Sequence, residues 1–147
     1  MKPKTDTEIA AMRKSGHILG TVLEHIRSIA TEGMTPKQVS AIARQKTLEL
    51  GGEPAFEGFE GYPDIICIST NNEVQHSIPN NRPFELGDIV NFDYGVRYEG
   101  MITDSGTTVC IGGKPDKAGL RLLKGTEQAL YAGIDVVKAG ARVGDIS

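Results

Sequence analysis

A chain of 147 residues with 39% hydrophobic side chains is sized for one folded domain with a buried core, which excludes a disordered chain. The formal net charge of −3 and the scattered basic residues argue against a phosphate-reading nucleic-acid binder and against a membrane-surface patch. No apolar run approaches the roughly eighteen residues of a membrane span. The polar start Met1-Lys2-Pro3-Lys4-Thr5-Asp6 lacks the apolar core of a signal peptide, so a soluble, cytoplasmic protein is expected.

Thr5 and Glu8 have the spacing of a capping box and open a helix. Ile9, Met12, Gly16, Leu19, Leu23, Ile26 and Ala30 recur every three or four residues, which predicts its inward face. His17 and His25 on this helix have no companion ligand at metal spacing and read as ordinary helix residues. Gly33 ends the helix. Thr35 and Pro36 supply the N-cap and first position of a second, with Val39, Ile42, Ala43, Lys46, Thr47 and Leu50 facing inward and Gly51-Gly52 as its stop.

Pro54 to Asp64 is a loop carrying Phe56, Phe59 and Tyr62. Such a loop walls an apolar pocket or forms a lid over the core, and composition does not separate the two. Ile65 to Ser69 reads as a buried strand, with Cys67 in it. Neither Cys67 nor Cys110 has zinc-ligand spacing, and buried reduced thiols are expected. After a turn at Asn71-Asn72, Val74 to Pro79 reads as a second extended piece with His76 at its end, either a hydrogen-bonded residue or a catalytic one.

The run from Asp88 to Val109 is rich in β-formers and folds back at Tyr98-Glu99-Gly100. Antiparallel pairing about that turn makes facing residue numbers sum to roughly 197–199, which sets Asp93 opposite or diagonal to Asp104 on one face. Their neighbours Phe92 and Ile102 are apolar, so neither acid reads as freely solvated. Facing carboxylates repel. A divalent cation held by hard oxygen ligands, a proton shared between the acids, or a register that separates them would each resolve the conflict. Ile111 to Pro115 closes the sheet. A helix follows Asp116, with Leu120, Leu123, Leu130, Ile134 and Val137 as an apolar stripe interrupted by Glu127 and an end at Ala139-Gly140.

The segment from Ser28 to Ser40 aligns with that from Asp135 to Ser147 at one constant offset, Gly33 falling on Gly140 and Ser40 on Ser147. This suggests an internal repeat, with residues 1–112 as the first unit and 113–147 as the start of a second, and an incomplete chain.

Phe59-Glu60-Gly61-Tyr62-Pro63, Cys67-Ile68-Ser69, Asn71, His76-Ser77-Ile78-Pro79, Gly87-Asp88-Ile89-Val90-Asn91-Phe92-Asp93 and Thr103-Asp104 together resemble the type I methionine aminopeptidases. The resemblance runs along essentially the whole chain but matches only about the first half of a family member. It implies an α/β (α+β) pita-bread fold, an antiparallel sheet covered by helices, of which this chain is the first pseudo-symmetric half plus the first helix of the second. It implies removal of N-terminal methionine from nascent proteins at a dinuclear site of Co, Mn, Fe or Zn ions. By position, Asp93 and Asp104 match metal ligands, the first chelating one ion and the second bridging both. His76 matches a histidine that hydrogen-bonds the substrate near the scissile amide, and Phe56, Phe59, Tyr62 and Cys67 match the methionine pocket. Ser77 stands where the family usually has glycine, and Phe56, Phe59 and Gln75 replace the common Cys, Tyr and Cys. The family's remaining His, Glu and Glu ligands belong to its second half, so the chain alone is expected to be inactive or weakly active. A non-catalytic binding module of the same fold and a proline-directed aminopeptidase are the alternative readings. A peptide substrate is the expected partner, and a homodimer through the face left exposed by truncation is a further expectation.

Overall fold

The structure is a computed structural model and describes residues 2–147. The chain divides into two compact units, Met1–Lys114 and Pro115–Ser147.

In the first unit, helix α1 spans Asp6–Ile29 and helix α2 spans Pro36–Glu49, both opened by capping boxes, Thr5 with Glu8 and Thr35 with Gln38. Four antiparallel strands follow: β1 (Glu53–Pro54), β2 (Ile66–Thr70), β3 (Ile89–Tyr98) and β4 (Met101–Cys110). β3 is the centre of the sheet, with β1 and β2 along one edge and β4 along the other. The β3–β4 turn is the two-residue Glu99-Gly100, both at positive φ (47° and 77°), the geometry that suits the right-handed twist of a hairpin.

Alternation along β3 decides what each face does. Val90, Phe92, Tyr94 and Val96 are fully buried and pack with Ile66 and Ile68 of β2 against α1 and α2. Tyr94 places its hydroxyl 2.7 Å from that of Thr47 on α2, and burial pushes its pKa up to about 12. The other parity of β3, Asn91, Asp93, Gly95 and Arg97, looks away from the helices.

The buried face of α1 is Ala11, Ser15, Ile18, Leu19, Val22, Leu23 and Ile26. This corrects the expected stripe at its N-terminal end, since Ile9 is exposed and Met12 and Gly16 are half-buried. The inward face passes through the polar Ser15, whose hydroxyl donates to the Val96 carbonyl at 2.8 Å and also meets the Thr103 hydroxyl at 2.8 Å.

In the second unit, α3 spans Lys117–Asp135, capped by the Asp116 side chain accepting from the Gly119 N–H at 2.7 Å, and α4 spans Val143–Ile146. The expected end at Ala139-Gly140 is corrected to Asp135. Gly140, at φ 90°, belongs to the turn that follows. The expected apolar stripe is not buried either: Leu120, Leu130, Ile134 and Val137 are exposed, because a helix with one short companion has little surface to cover it.

The turn before α4 has the hydrogen-bond pattern of the turn before α2. Met34 N–H reaches Thr31 O and Ala141 N–H reaches Lys138 O. Gly33 and Gly140 are both left-handed. Thr35 N–H donates to Gln38 Oε1 at 2.9 Å and Arg142 N–H to Asp145 Oδ2 at 2.8 Å.

Candidate active site

The face of the sheet turned away from the helices carries the acids. Asp93 pairs with Cys67 of β2 on one side and Gly106 of β4 on the other, while Asp104 pairs with Gly95. The two aspartates are therefore diagonal neighbours on one face, within reach of each other without standing directly opposite. Asp93 is 9% exposed. Asp104 is exposed as a residue, as is Ile102 beside it, so the expectation that neither acid is solvated holds for Asp93 only: among the described residues, no strand pairs with the outer edge of β4. Partial loss of hydration and then the charge of Asp93 hold the Asp104 carboxyl above the usual carboxylate range, with His76 acting in the opposite direction.

The loop between β1 and β2 forms the wall. Ala55 N–H extends the pairing to Gly95 O at 2.9 Å, and this carries Phe56 across the sheet. A Cβ on Gly95 would collide with the Phe56 ring, so the glycine is what admits it. Phe56 meets the edge of Tyr94 at 6.5 Å between centroids. Phe59 begins a single 3₁₀ turn, Phe59–Gly61, and is 68% exposed. The Tyr62 hydroxyl lies within hydrogen-bonding distance of two carbonyls, Ile66 O at 3.0 Å and Ser77 O at 3.2 Å. Burial raises its pKa, so it stays neutral and donates. Burial also pushes the Cys67 thiol up, with the charges of Asp93, Asp104 and Asp64 adding to it and the Tyr62 contact opposing.

His76 is not at the end of a strand. Val74 to Pro79 forms a bend in which His76 takes φ 73°, which corrects the expected extended piece. The reason is local competition for backbone groups: the Ser69 and Ser77 hydroxyls both donate to Val74 O, at 3.3 and 3.0 Å, where a strand would have used a ladder bond. The exposed His76 imidazole places Nε2 3.9 Å from Asp93 Oδ2.

A cleft of about 770 Å³ brings together all seven residues singled out in the sequence: Asp93, Asp104, His76, Phe56, Phe59, Tyr62 and Cys67. Two of the further lining residues, given no role from the sequence, make side-chain hydrogen bonds. Gln75 Nε2 donates to Asp93 Oδ2 at 3.3 Å, and Asn91 Nδ2 donates to Thr108 Oγ1 at 3.0 Å. Asn91 shares the parity of Asp93 on β3, a period-two signal that could have flagged it.

Among the described residues no group of three or more His, Cys, Asp or Glu side chains is arranged to hold a metal ion. The acid pair fits a hard divalent cation in donor type and charge, yet supplies two of the several ligands such an ion needs. Among the described residues, no helix is long and apolar enough to cross a membrane.

Nearly the whole chain is similar to known proteins. The chain is 34% identical over 144 residues to methionine aminopeptidase 1 of Bacillus subtilis, covering 98% of the chain and 58% of that protein. It is 36% identical over 147 residues to a methionine aminopeptidase of Aquifex aeolicus, covering 95% of the chain and 57% of the relative. The crystal structure of a methionine aminopeptidase from Thermotoga maritima superposes with a TM-score of 0.95 at 33% identity, over 99% of this chain and 59% of the other. The chain thus spans a little over half the length of these relatives. Its architecture, helices on an antiparallel sheet, is that of the first half of the pita-bread fold. The family model for metallopeptidase family M24 matches residues 10–147, and the chain belongs to that family.

Proposed function

We propose that this chain carries the first-half residues of a metal-dependent aminopeptidase that removes N-terminal methionine from nascent proteins. The observation that supports the reading is a single cleft containing a diagonal pair of aspartates, an exposed histidine next to one of them, and an apolar wall. Asp93 and Asp104 would hold divalent ions, Co, Mn, Fe or Zn, together with ligands from outside the described residues. When bound, such ions supply Lewis-acid polarisation of a peptide carbonyl and acidify a water.

The chain's own residues prepare the site. Phe56, Phe59, Tyr62 and Cys67 offer an unbranched apolar side chain a surface free of charge, because the Tyr62 and Cys67 groups both stay protonated. His76 stands at the open side of the cleft with its imidazole available to hydrogen-bond a peptide amide as charge develops there. Gln75 holds one oxygen of Asp93. Nascent chains emerge in the cytoplasm, which is the compartment this reading implies.

Calorimetric titration of the chain with Mn²⁺, beside an Asp93→Ala, Asp104→Ala double variant, tests it. Binding in the parent that disappears in the double variant supports a metal-holding acid pair. A folded parent that binds no Mn²⁺ would remove the metal role from these two residues acting without further ligands. The stoichiometry also reads the homodimer expectation, since two chains sharing one ion would halve it.

A further inference from the structure

His76 is a non-glycine residue held at φ 73°, in the left-handed region where a side chain crowds its own backbone. Strain of this kind persists only where surrounding contacts over-determine it. Here the contacts come from two serines. Ser77 donates its hydroxyl to Val74 O at 3.0 Å. Ser69 Oγ reaches the same carbonyl from β2 at 3.3 Å and accepts from the Ser77 N–H at 3.4 Å. The Ser77 carbonyl is fixed in turn, accepting from Ile68 N–H at 3.1 Å and lying 3.2 Å from the Tyr62 hydroxyl. Both flanks of His76 are therefore tied to β2, and the histidine has little choice but to bridge them in the left-handed form.

We propose that Ser77, working with Ser69, is a positioning residue that locks His76 in its left-handed backbone and so aims the imidazole at the Asp93 side of the cleft. This deepens the reading of His76 as a substrate-facing group and rests on it. A serine here does what chain flexibility would undo: with the Val74–Ser77 bond gone, His76 relaxes to negative φ and its ring swings off the acid pair.

The test is solution NMR of the 147-residue chain, reading the three-bond HN–Hα coupling and the Cα shift of His76. Parent, Ser77→Ala, Ser77→Thr and Ser69→Ala chains are compared. The parent shows a left-handed His76. In Ser77→Ala, loss of one neutral hydrogen bond lowers the ratio of left-handed to other conformers by about fivefold. Ser77→Thr keeps a hydroxyl and restores the parent values. Couplings elsewhere in the sheet stay at parent values, which separates positioning from a general structural role. If Ser77→Ala fails to fold, Ser69→Ala removes the other hydroxyl on Val74 O and must show the same loss. His76 parameters unchanged in a folded Ser77→Ala chain would overturn the proposal. Absence of Mn²⁺ binding bears on the acid pair alone, because the contacts that set the His76 backbone are those of Ser69, Ser77 and Val74.

Discussion

Asp93 and Asp104 each face a glycine across the hairpin, Gly106 and Gly95 respectively, so the two carboxylates meet along a diagonal above a stretch of ribbon with no intervening side chain. Without a cation the pair is a liability to the fold. Partial loss of hydration and then the charge of Asp93 raise the Asp104 carboxyl; Asp104→Asn removes its charge and is expected to leave stability unchanged or raise it by about 0.5 kcal/mol. Urea denaturation at neutral pH in the presence of a chelator reads this. A clear loss of stability would mean that the carboxylate makes a supporting contact.

Asp64 is a structural acid of the opposite kind. It is 6% exposed and accepts from Lys37 Nζ at 2.7 Å, Ser40 Oγ at 2.5 Å and the Ile65 N–H at 2.8 Å. Burial alone would raise its pKa, but these hydrogen bonds together outweigh it and hold the carboxyl below its ordinary value. A depressed folded-state pKa means that the contribution is complete above the unfolded carboxylate value and is lost as pH falls through the folded one. Asp64→Ala should cost about 2 kcal/mol at pH 7, from the loss of charge-assisted bonds. The gap between parent and variant should close in acid. Urea unfolding across pH 2 to 7 checks both the size and the direction; a gap that widens in acid would refute the assignment.

Gly95 and Phe56 occupy one space. Gly95→Ala drives a methyl group into the Phe56 ring and should destabilise by about 1–3 kcal/mol. Phe56→Ala in the same chain should recover most of that, so the double variant should be far less damaged than the two single losses would add up to. A double-mutant cycle by thermal or urea unfolding measures the coupling. Additive effects would show that the loop moves away from the sheet independently.

The phase of α1 makes a paired prediction. Ser15→Ala strips a fully buried hydroxyl from Val96 O and Thr103 Oγ1, with an expected cost of about 1–2 kcal/mol. Ile9→Ala, at a residue 40% exposed, should fall within about 0.5 kcal/mol of the parent. Equal effects in equilibrium unfolding would mean that the helix packs on the face expected from its apolar residues.

What could be read in advance followed from signals confined to a few neighbouring residues. Thr5 and Thr35 marked helix starts because capping needs a side-chain oxygen at a fixed spacing, and Gly100 in Tyr98-Glu99-Gly100 marked the hairpin because its turn needs positive φ. The hairpin also confined Asp93 and Asp104 to one face, since side chains alternate with period two, but a tight turn alone left open whether they were opposite or diagonal. Ser15 was invisible because its value lies in a partner on another strand, many residues away. The bend at His76 was hidden for the same reason: the serines that shape its backbone act on Val74 through hydrogen bonds that no hydrophobic pattern encodes. The exposed stripe of α3 shows the limit of periodicity, which identifies an apolar face and not whether anything covers it.

The matching turns before α2 and α4 show how little of a backbone shape needs to be written in residue identities. One position must tolerate a left-handed backbone, and one must offer an acceptor to the cap N–H. Glycine fills the first in both turns, while Gln38 and Asp145 fill the second with different chemistry. Everything between differs, Met34-Thr35-Pro36 in one turn and Ala141-Arg142-Val143 in the other. Likeness of shape between such segments is therefore better measured in dihedral angles and donor–acceptor pairs than in shared letters, and counting identities alone will undervalue it.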